Sequence, residues 1–324
     1  MKNFWEKLNK PFFVLAPMAD VTDIAFRQVI GKYGKPDVFW TEFVSADGLA
    51  HPKAREKLLI DLRYEKNEHP IVAQIFGSNP DNIRYAASLC TELGFDGVDI
   101  NMGCPDRSVE KQGAGACMIK NPEIAKAVIE AAREGVKSSG KDIPVSVKTR
   151  IGYNKNEINT WIRFLLELDL PVLTVHLRTR KEMSLVPAHW ELMKDIVALR
   201  DELGKKTLII GNGDAVDIKD AKKKVKESGC DGVMLGRAIF GNPWLFSGKE
   251  PKNTKEKLKV MIEHTKLFEQ KLGEHKNFAI MKKHYKAYVN GFDGAKELRM
   301  RLMESETVEE IEQKVADFLK NHPK

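Results

Sequence analysis

Short apolar runs rich in Val, Ile and Phe recur through most of the chain, at residues 12–16, 38–44, 71–76, 97–100, 144–149, 171–176, 207–210 and 232–235. Their apolar character is continuous, not alternating, which predicts strands buried on both faces, as in a parallel sheet. Between them, residues 79–93, 121–137, 156–168, 188–203 and 215–228 carry apolar positions at three- and four-residue spacings, the pattern of amphipathic helices. Asn79-Pro80 and Asn121-Pro122 each read as a helix cap followed by a first-turn proline. Eight such strand candidates in this length predict an α/β fold of the (β/α)8 TIM-barrel type. A doubly wound sheet is the competing architecture, because a hydrophobic pattern does not encode strand order. No Gly-rich dinucleotide fingerprint follows the first run, which weighs against that alternative.

After residues 242–253, NPWLFSGKEPKN, the pattern changes. LKVMIEHTKLFEQKL, FAIMKKHYKAYVNGF and VEEIEQKVADFL are helical patterns, and no strand candidate follows. The expected organisation is a catalytic barrel over 1–248 and an all-helical carboxyl-terminal domain over 249–324.

Composition narrows the class. The 324 residues are 42% hydrophobic and 31% charged, as in a globular protein. Lys and Arg outnumber Asp and Glu by 53 to 46, a net charge of +7 that admits a polyanionic partner without requiring one. Cys90, Cys104, Cys117 and Cys230 form no CxxC and no zinc-like spacing with histidine, so neither a disulfide framework nor a structural metal is expected. The first twenty residues hold too short an apolar run for a signal peptide or a membrane span. The expected setting is the cytoplasm, with no membrane association.

In a barrel the chemistry sits at the carboxyl ends of the strands. The predicted ends carry Pro17 and Met18, then Glu42, Gln74, Asn101 with Cys104, Lys148 with Arg150, His176 with Arg178, Asn212 with Gly213, and Gly236 with Arg237. GNGD at 211–214 and LGRAIFGNP at 235–243 place glycines where backbone amides can approach an anion, with Arg237 as a charged donor; this resembles a phosphate cradle. Lys148, His176 and Gln74 together suit a planar heterocycle rimmed with carbonyls and ring nitrogens, where a nearby cation stabilises charge that accumulates on reduction. Flavin mononucleotide (FMN) fits this description, as does another phosphorylated cofactor or a sugar phosphate. Cys104 sits in NMGCPDRS, on a turn constrained by Gly103 and Pro105, and is a candidate nucleophile, metal ligand or proton donor.

The motifs APMADVTDIAFR (16–27), TEFVSADGL (41–49), DINMGCP (99–105), KQGAGACMIK (111–120), VKTRIG (147–152), HLRTR (176–180), GNGD and LGRAIFGNPWLF (235–246) resemble those of the tRNA-dihydrouridine synthases. The resemblance runs in order from Ala16 to Arg299 and is most specific in NMGCP, KQGAGACMIK and VKTRIG. It implies an FMN-bearing barrel, a helical domain that grips tRNA, and reduction of the uracil C5–C6 bond with NADPH as reductant, NADH being the alternative. It further implies that Pro17, Met18, Gln74, Lys148, His176, Asn212, Gly213, Gly236 and Arg237 contact FMN. Cys104 becomes the catalytic acid, and Asn101 and Arg178 contact the substrate. The chain departs from the usual family pattern at Asp20, Leu177 and KEMSLVPAHW, all in loops around the mouth.

Between Lys276 and Arg301, seven Lys or Arg residues face only Asp293 and Glu297, with Tyr285 and Tyr288 interleaved. This segment, Lys282 and Lys283 in particular, is the expected tRNA-backbone contact of a monomeric enzyme. Two other readings remain at this stage: a flavin oxidoreductase of a free pyrimidine, similar to the dihydroorotate dehydrogenases, and a non-catalytic flavin-containing RNA-binding protein.

Overall fold

The computed structural model describes residues 3–322. Eight parallel strands are present: β1 (Phe12–Leu15), β2 (Phe39–Ser45), β3 (Ile71–Phe76), β4 (Gly97–Met102), β5 (Val145–Arg150), β6 (Val172–His176), β7 (Leu208–Asn212) and β8 (Gly232–Leu235). Each strand pairs with its neighbours in sequence, and β1 pairs with β8. The ring closes where Val14 bridges Val38 and the Asp37 N–H donates to the Phe13 carbonyl at 2.9 Å. A doubly wound sheet would need a crossover in this order, so the barrel is the architecture.

Continuous apolar runs are required here because both strand faces are covered. One face packs under the surrounding helices; the other fills the barrel interior with Phe12, Val14, Trp40, Val72, Val172, Ile210 and Met234. Trp5, only 2% exposed on the short turn Phe4–Lys7, plugs the amino-terminal end, its ring 5.7 Å from that of Trp40. The predicted Asn79 cap is present, its side chain accepting from Asp81 and Asn82 N–H groups ahead of helix Pro80–Glu92. Asn121 makes no such cap; its amide turns back toward the Cys117 carbonyl, and only Pro122 marks the start of helix Pro122–Ser138. The sequence reading also missed helix Ile24–Gly34, capped by Asp23, because its apolar positions run too densely to show a stripe.

The carboxyl-terminal helices are Thr254–Leu272, Met281–Tyr288, Ala295–Met303 and Val308–Asn321. Their apolar faces meet one another and the outside of helix Ile24–Gly34, where Phe26 stacks on His264 at 4.7 Å. His264 and His284 are fully buried in this joint, and burial holds both rings neutral. Polar contacts complete the joint: Lys32 forms an ion pair with Glu263 at 2.6 Å, and the Tyr33 hydroxyl donates to the same carboxylate at 2.7 Å. Deeper in, Lys276 Nζ lies 2.8 Å from Glu42 in the middle of β2 and 2.6 Å from Asp61.

Burial decides two points about the helical domain that the sequence left open. Lys276 is consumed by those carboxylates, with its side chain 11% exposed, so it does not belong to a phosphate-facing surface. Tyr285 and Tyr288 are fully buried core residues, not stacking platforms.

Candidate active site

The carboxyl ends of the strands surround a cavity of about 300 Å³. Pro17 and Met18 enter it from the loop after β1, Lys148 from β5, His176 from β6, Asn212 and Gly213 from β7, and Gly236 and Arg237 from the turn after β8. Five of the eight strands supply these groups, and Pro105 joins them from the loop after β4, because the barrel converges chain segments far apart in sequence on one ring.

The β7–β8 side is cationic. Asn212 is held by its Nδ2, which donates to the Met234 carbonyl at 2.9 Å. Gly213 has φ +127, and a Cβ there would lie 2.7 Å from Ala188 Cβ and 3.3 Å from the His176 ring, so only glycine lets this backbone line the cavity. Asp214 follows, its carboxylate bridging Arg178 and Arg237 and accepting from the Ala188 N–H at 2.9 Å. Burial opposes the charge on Asp214, but the two arginines outweigh it and lower its pKa. Arg237 leaves 65% of its side chain exposed to the cavity and solvent, available to an anion.

Arg178, read from sequence as a substrate contact, is 2% exposed and already satisfied. Its Nε donates to the Val186 carbonyl at 2.6 Å, its Nη1 lies 3.0 Å from His176 Nε2, and its Nη2 holds Asp214. A guanidinium only donates, so His176 Nε2 is the acceptor and the ring proton sits on Nδ1. Burial, then the charges of Arg150, Lys148, Arg178 and Arg237, push the His176 pKa well down, so the ring is a neutral hydrogen-bonding group. Arg178 therefore lines the cavity with its guanidinium committed to protein partners, and it orients His176 and Asp214.

Lys148 is different. Among the described residues no side chain or carbonyl accepts a hydrogen bond from its ammonium, and burial beside Arg150 lowers its pKa to about 8. An unpartnered cation in a cavity that also offers Arg237 and two glycine turns fits a ligand with an anionic group and a carbonyl-rich or electron-accepting ring.

Behind Lys148, a hydrogen-bonded chain crosses the barrel interior. Ser146 Oγ donates to Asp99 Oδ1 at 2.6 Å, and Gln74 Nε2 donates to Asp99 Oδ2 at 2.7 Å. Asn101 Nδ2 donates to Gln74 Oε1 at 3.0 Å, and Asn101 Oδ1 accepts the N–H groups of Gly103 and Cys104 at 3.1 and 2.9 Å. Gln74, expected at the cofactor, is fully buried with its amide oxygen held by Asn101 and its amide nitrogen by Asp99. Asp99 and Ser146 gave no signal in the sequence, where they read as ordinary residues inside apolar runs.

Cys104 is half-buried on the turn that this chain anchors, one residue before Pro105, which lines the cavity. Arg150 Nε donates to the Gly103 carbonyl at 2.7 Å, and the Cys104 carbonyl accepts from Ala116 at 2.9 Å. Gly115, at φ +62, would put a Cβ 2.7 Å from that carbonyl, which explains the glycine in KQGAGACMIK. The thiol packs beside Phe76, Val109 and Ala114, and this burial raises its pKa. At neutral pH it is a protonated thiol, the form that gives a proton. No group of three or more His, Cys, Asp or Glu side chains able to hold a metal occurs among the described residues. Lys282 and Lys283 lie outside the cavity, on helix Met281–Tyr288, half-buried and without an ion pair among the described residues.

The family model described as "Dihydrouridine synthase (Dus)" matches residues 14–322. A protein of Staphylococcus aureus named "Probable tRNA-dihydrouridine synthase" is 42% identical over 321 residues, covering 98% of this chain and 96% of its own. A Bacillus subtilis protein named "Probable tRNA-dihydrouridine synthase 2" is also 42% identical, with 98% and 97% covered. Among solved structures, histamine dehydrogenase from Rhizobium sp. 4-9 superposes with TM-score 0.52 at 14% identity, over 79% of this chain and 49% of that one. A 2-naphthoyl-CoA reductase complex gives 0.53 at 11%, over 72% and 49%. Those two likenesses are of the barrel fold alone. With the family pattern spanning nearly its whole length and relatives matched end to end, this chain belongs to the dihydrouridine synthase family.

Proposed function

We propose that this protein reduces uridine in tRNA to dihydrouridine, with FMN seated in the barrel mouth and NADPH as the source of electrons. Bound FMN, once reduced by NADPH, would supply the hydride for uracil C6. The chain's own residues hold, orient and protonate. Arg237, Asn212 and the glycine turns after β7 and β8, which line the cavity, would hold the phosphate, and Lys148 and neutral His176 would bind the ring's polar edge. Pro17 and Met18 cover it from the β1 loop. The ammonium of Lys148, with no other partner, favours negative charge at that edge.

Cys104 then gives its proton to C5 of the base while C6 receives hydride, so that one hydride and one proton convert the double bond to a single bond. The base reaches the thiol only by leaving its stack in the tRNA, as other base-modifying enzymes require. Asn101, whose Oδ1 accepts the Cys104 N–H at 2.9 Å, holds the base in place. The half-exposed, unpaired Lys282 and Lys283 are proposed contacts to the tRNA backbone. The protein acts in the cytoplasm as a monomer in this reading; no helix among the described residues is long and apolar enough to cross a membrane.

One observation carries this reading: a protonated thiol held on a rigid turn beside a cavity whose lysine has no partner. The test uses tRNA from cells lacking the gene, incubated with purified protein, FMN and NADPH, with dihydrouridine read by mass spectrometry. The wild type restores dihydrouridine at defined positions. Cys104→Ala retains FMN, and its rate falls by about 10²–10⁴-fold. No dihydrouridine from the wild type, or an unchanged rate in Cys104→Ala, would overturn the assignment.

A further inference from the structure

Asp99 is a carboxylate with no exposure to solvent in the middle of the barrel, a placement that costs free energy unless its hydrogen bonds do something for the fold or the site. We propose that Asp99 is a positioning residue for the target base: through Gln74 it locks the amide of Asn101 so that Asn101 shows the base one N–H donor and no acceptor. The inference rests on the function proposed above.

Hydrogen-bond direction fixes the orientation of both amides. The chain runs between two ends of fixed character. At one end the ionised carboxylate only accepts; at the other the Gly103 and Cys104 N–H groups only donate. The two amides between them have one arrangement that satisfies both ends: Gln74 turns its NH₂ to Asp99 and its oxygen to Asn101, and Asn101 turns its NH₂ to Gln74 and its oxygen to the turn. Both sites on the Asn101 oxygen are then filled by backbone N–H groups. One Asn101 N–H goes to Gln74, and the second is the only hydrogen-bonding capacity left on the side chain. Asn101 sits in register with Lys148, whose side chain enters the cavity, and is itself 7% exposed. A lone donor there pairs with a ring carbonyl oxygen, which uracil offers, and does not pair with an exocyclic amino group.

Asp99 is held ionised for this task. Burial raises its pKa to about 6, with Ser146, Gln74 and Lys148 opposing the rise, so the carboxylate remains an acceptor at neutral pH. Without that acceptor the Gln74 NH₂ has no partner, and its amide is free to rotate. Its NH₂ then confronts that of Asn101, and the disturbance passes to the Cys104 turn.

The test compares Asp99→Leu, which has similar volume and no acceptor, with Asp99→Asn, which keeps an acceptor oxygen for Gln74 but loses the charge. Two readouts are taken on the FMN-loaded protein: kcat/KM on dihydrouridine-free tRNA, and hydrogen exchange of the Gly103 and Cys104 amides. Asp99→Leu is expected to lose about 100-fold in kcat/KM and to exchange those amides at least about tenfold faster. Asp99→Asn is expected to lose less than about tenfold, with exchange close to wild type. Should Asp99→Leu fail to fold, Gln74→Met breaks the same chain one link along and is expected to behave the same way. Equal losses in the Leu and Asn variants, or lost activity with unchanged amide exchange, would overturn the proposal. A wild type that makes no dihydrouridine would refute the proposed function alone, because the exchange readout still reports on the chain.

Discussion

Replacing Lys276 with methionine keeps its methylenes and removes its charge, and the surrounding geometry sets the consequence. Glu42 is 4% exposed and left with a single neutral donor, the Asp20 N–H, while Asp23 and Asp61 stand nearby as like charges. Removing one partner of a buried ion pair typically costs about 3–5 kcal/mol, because the remaining charge is buried without compensation. The loss depends on pH in a defined direction. Burial pushes the Glu42 pKa up to about 7 even with Lys276 pulling it down, while Glu42 and Asp61 outweigh burial to raise that of Lys276. Above pH 7 the wild-type carboxylate is ionised and paired, and the variant loses that pairing in full. Below pH 7 Glu42 already binds a proton in the fold, so the gap between variant and wild type shrinks as pH falls. The assay is urea unfolding of the FMN-loaded protein at pH 8.5 and at pH 6. The expected result is a loss of about 3–5 kcal/mol at the higher pH, a smaller one at the lower, and partial recovery in the double variant Glu42→Gln/Lys276→Met, which removes the Glu42 charge and leaves Asp61 alone without its lysine. A loss below about 1 kcal/mol at pH 8.5, or a double variant no better than the single, would refute the reasoning.

Two other outcomes follow from the site. Lys148 carries its proton below about 8 and loses it above, so kcat for dihydrouridine formation is expected to fall as pH rises through that value; in Lys148→Met the rate is low and this alkaline limb is absent from the pH–rate profile. Gly213→Ala places a methyl group at φ +127 against Ala188 and the His176 ring; it is expected to weaken FMN binding by about tenfold or more, read by the fluorescence of released FMN, while the thermal midpoint shifts by only a few degrees.

What could be read directly from the sequence was local. Buried parallel strands need continuous apolar runs, so all eight strands lie close to where the pattern put them. Cys104 stood out because glycine and proline beside it constrain a turn, and Lys148, His176 and Arg237 because polar residues ending apolar runs need partners. Counting eight alternating units favoured a barrel, but the strand order was not in the pattern and came from the pairing of β1 with β8.

The three-dimensional fold decided everything that depends on a partner distant in the chain. Arg178 and Arg237 look alike as letters and both pair with Asp214, yet the first is 3% exposed and also held by Val186 and His176, while the second is 65% exposed. Lys276 looked like one more cation in a basic helix until folding brought Glu42, 234 residues away in sequence, to its ammonium. Asp99 was one polar letter in an apolar run, and its meaning lies in Gln74 and Ser146 on adjacent strands. A sequence pattern reports the period of a backbone and which face is apolar. Burial, charge pairing and hydrogen-bond direction belong to neighbours in space, and those exist only after the barrel has closed.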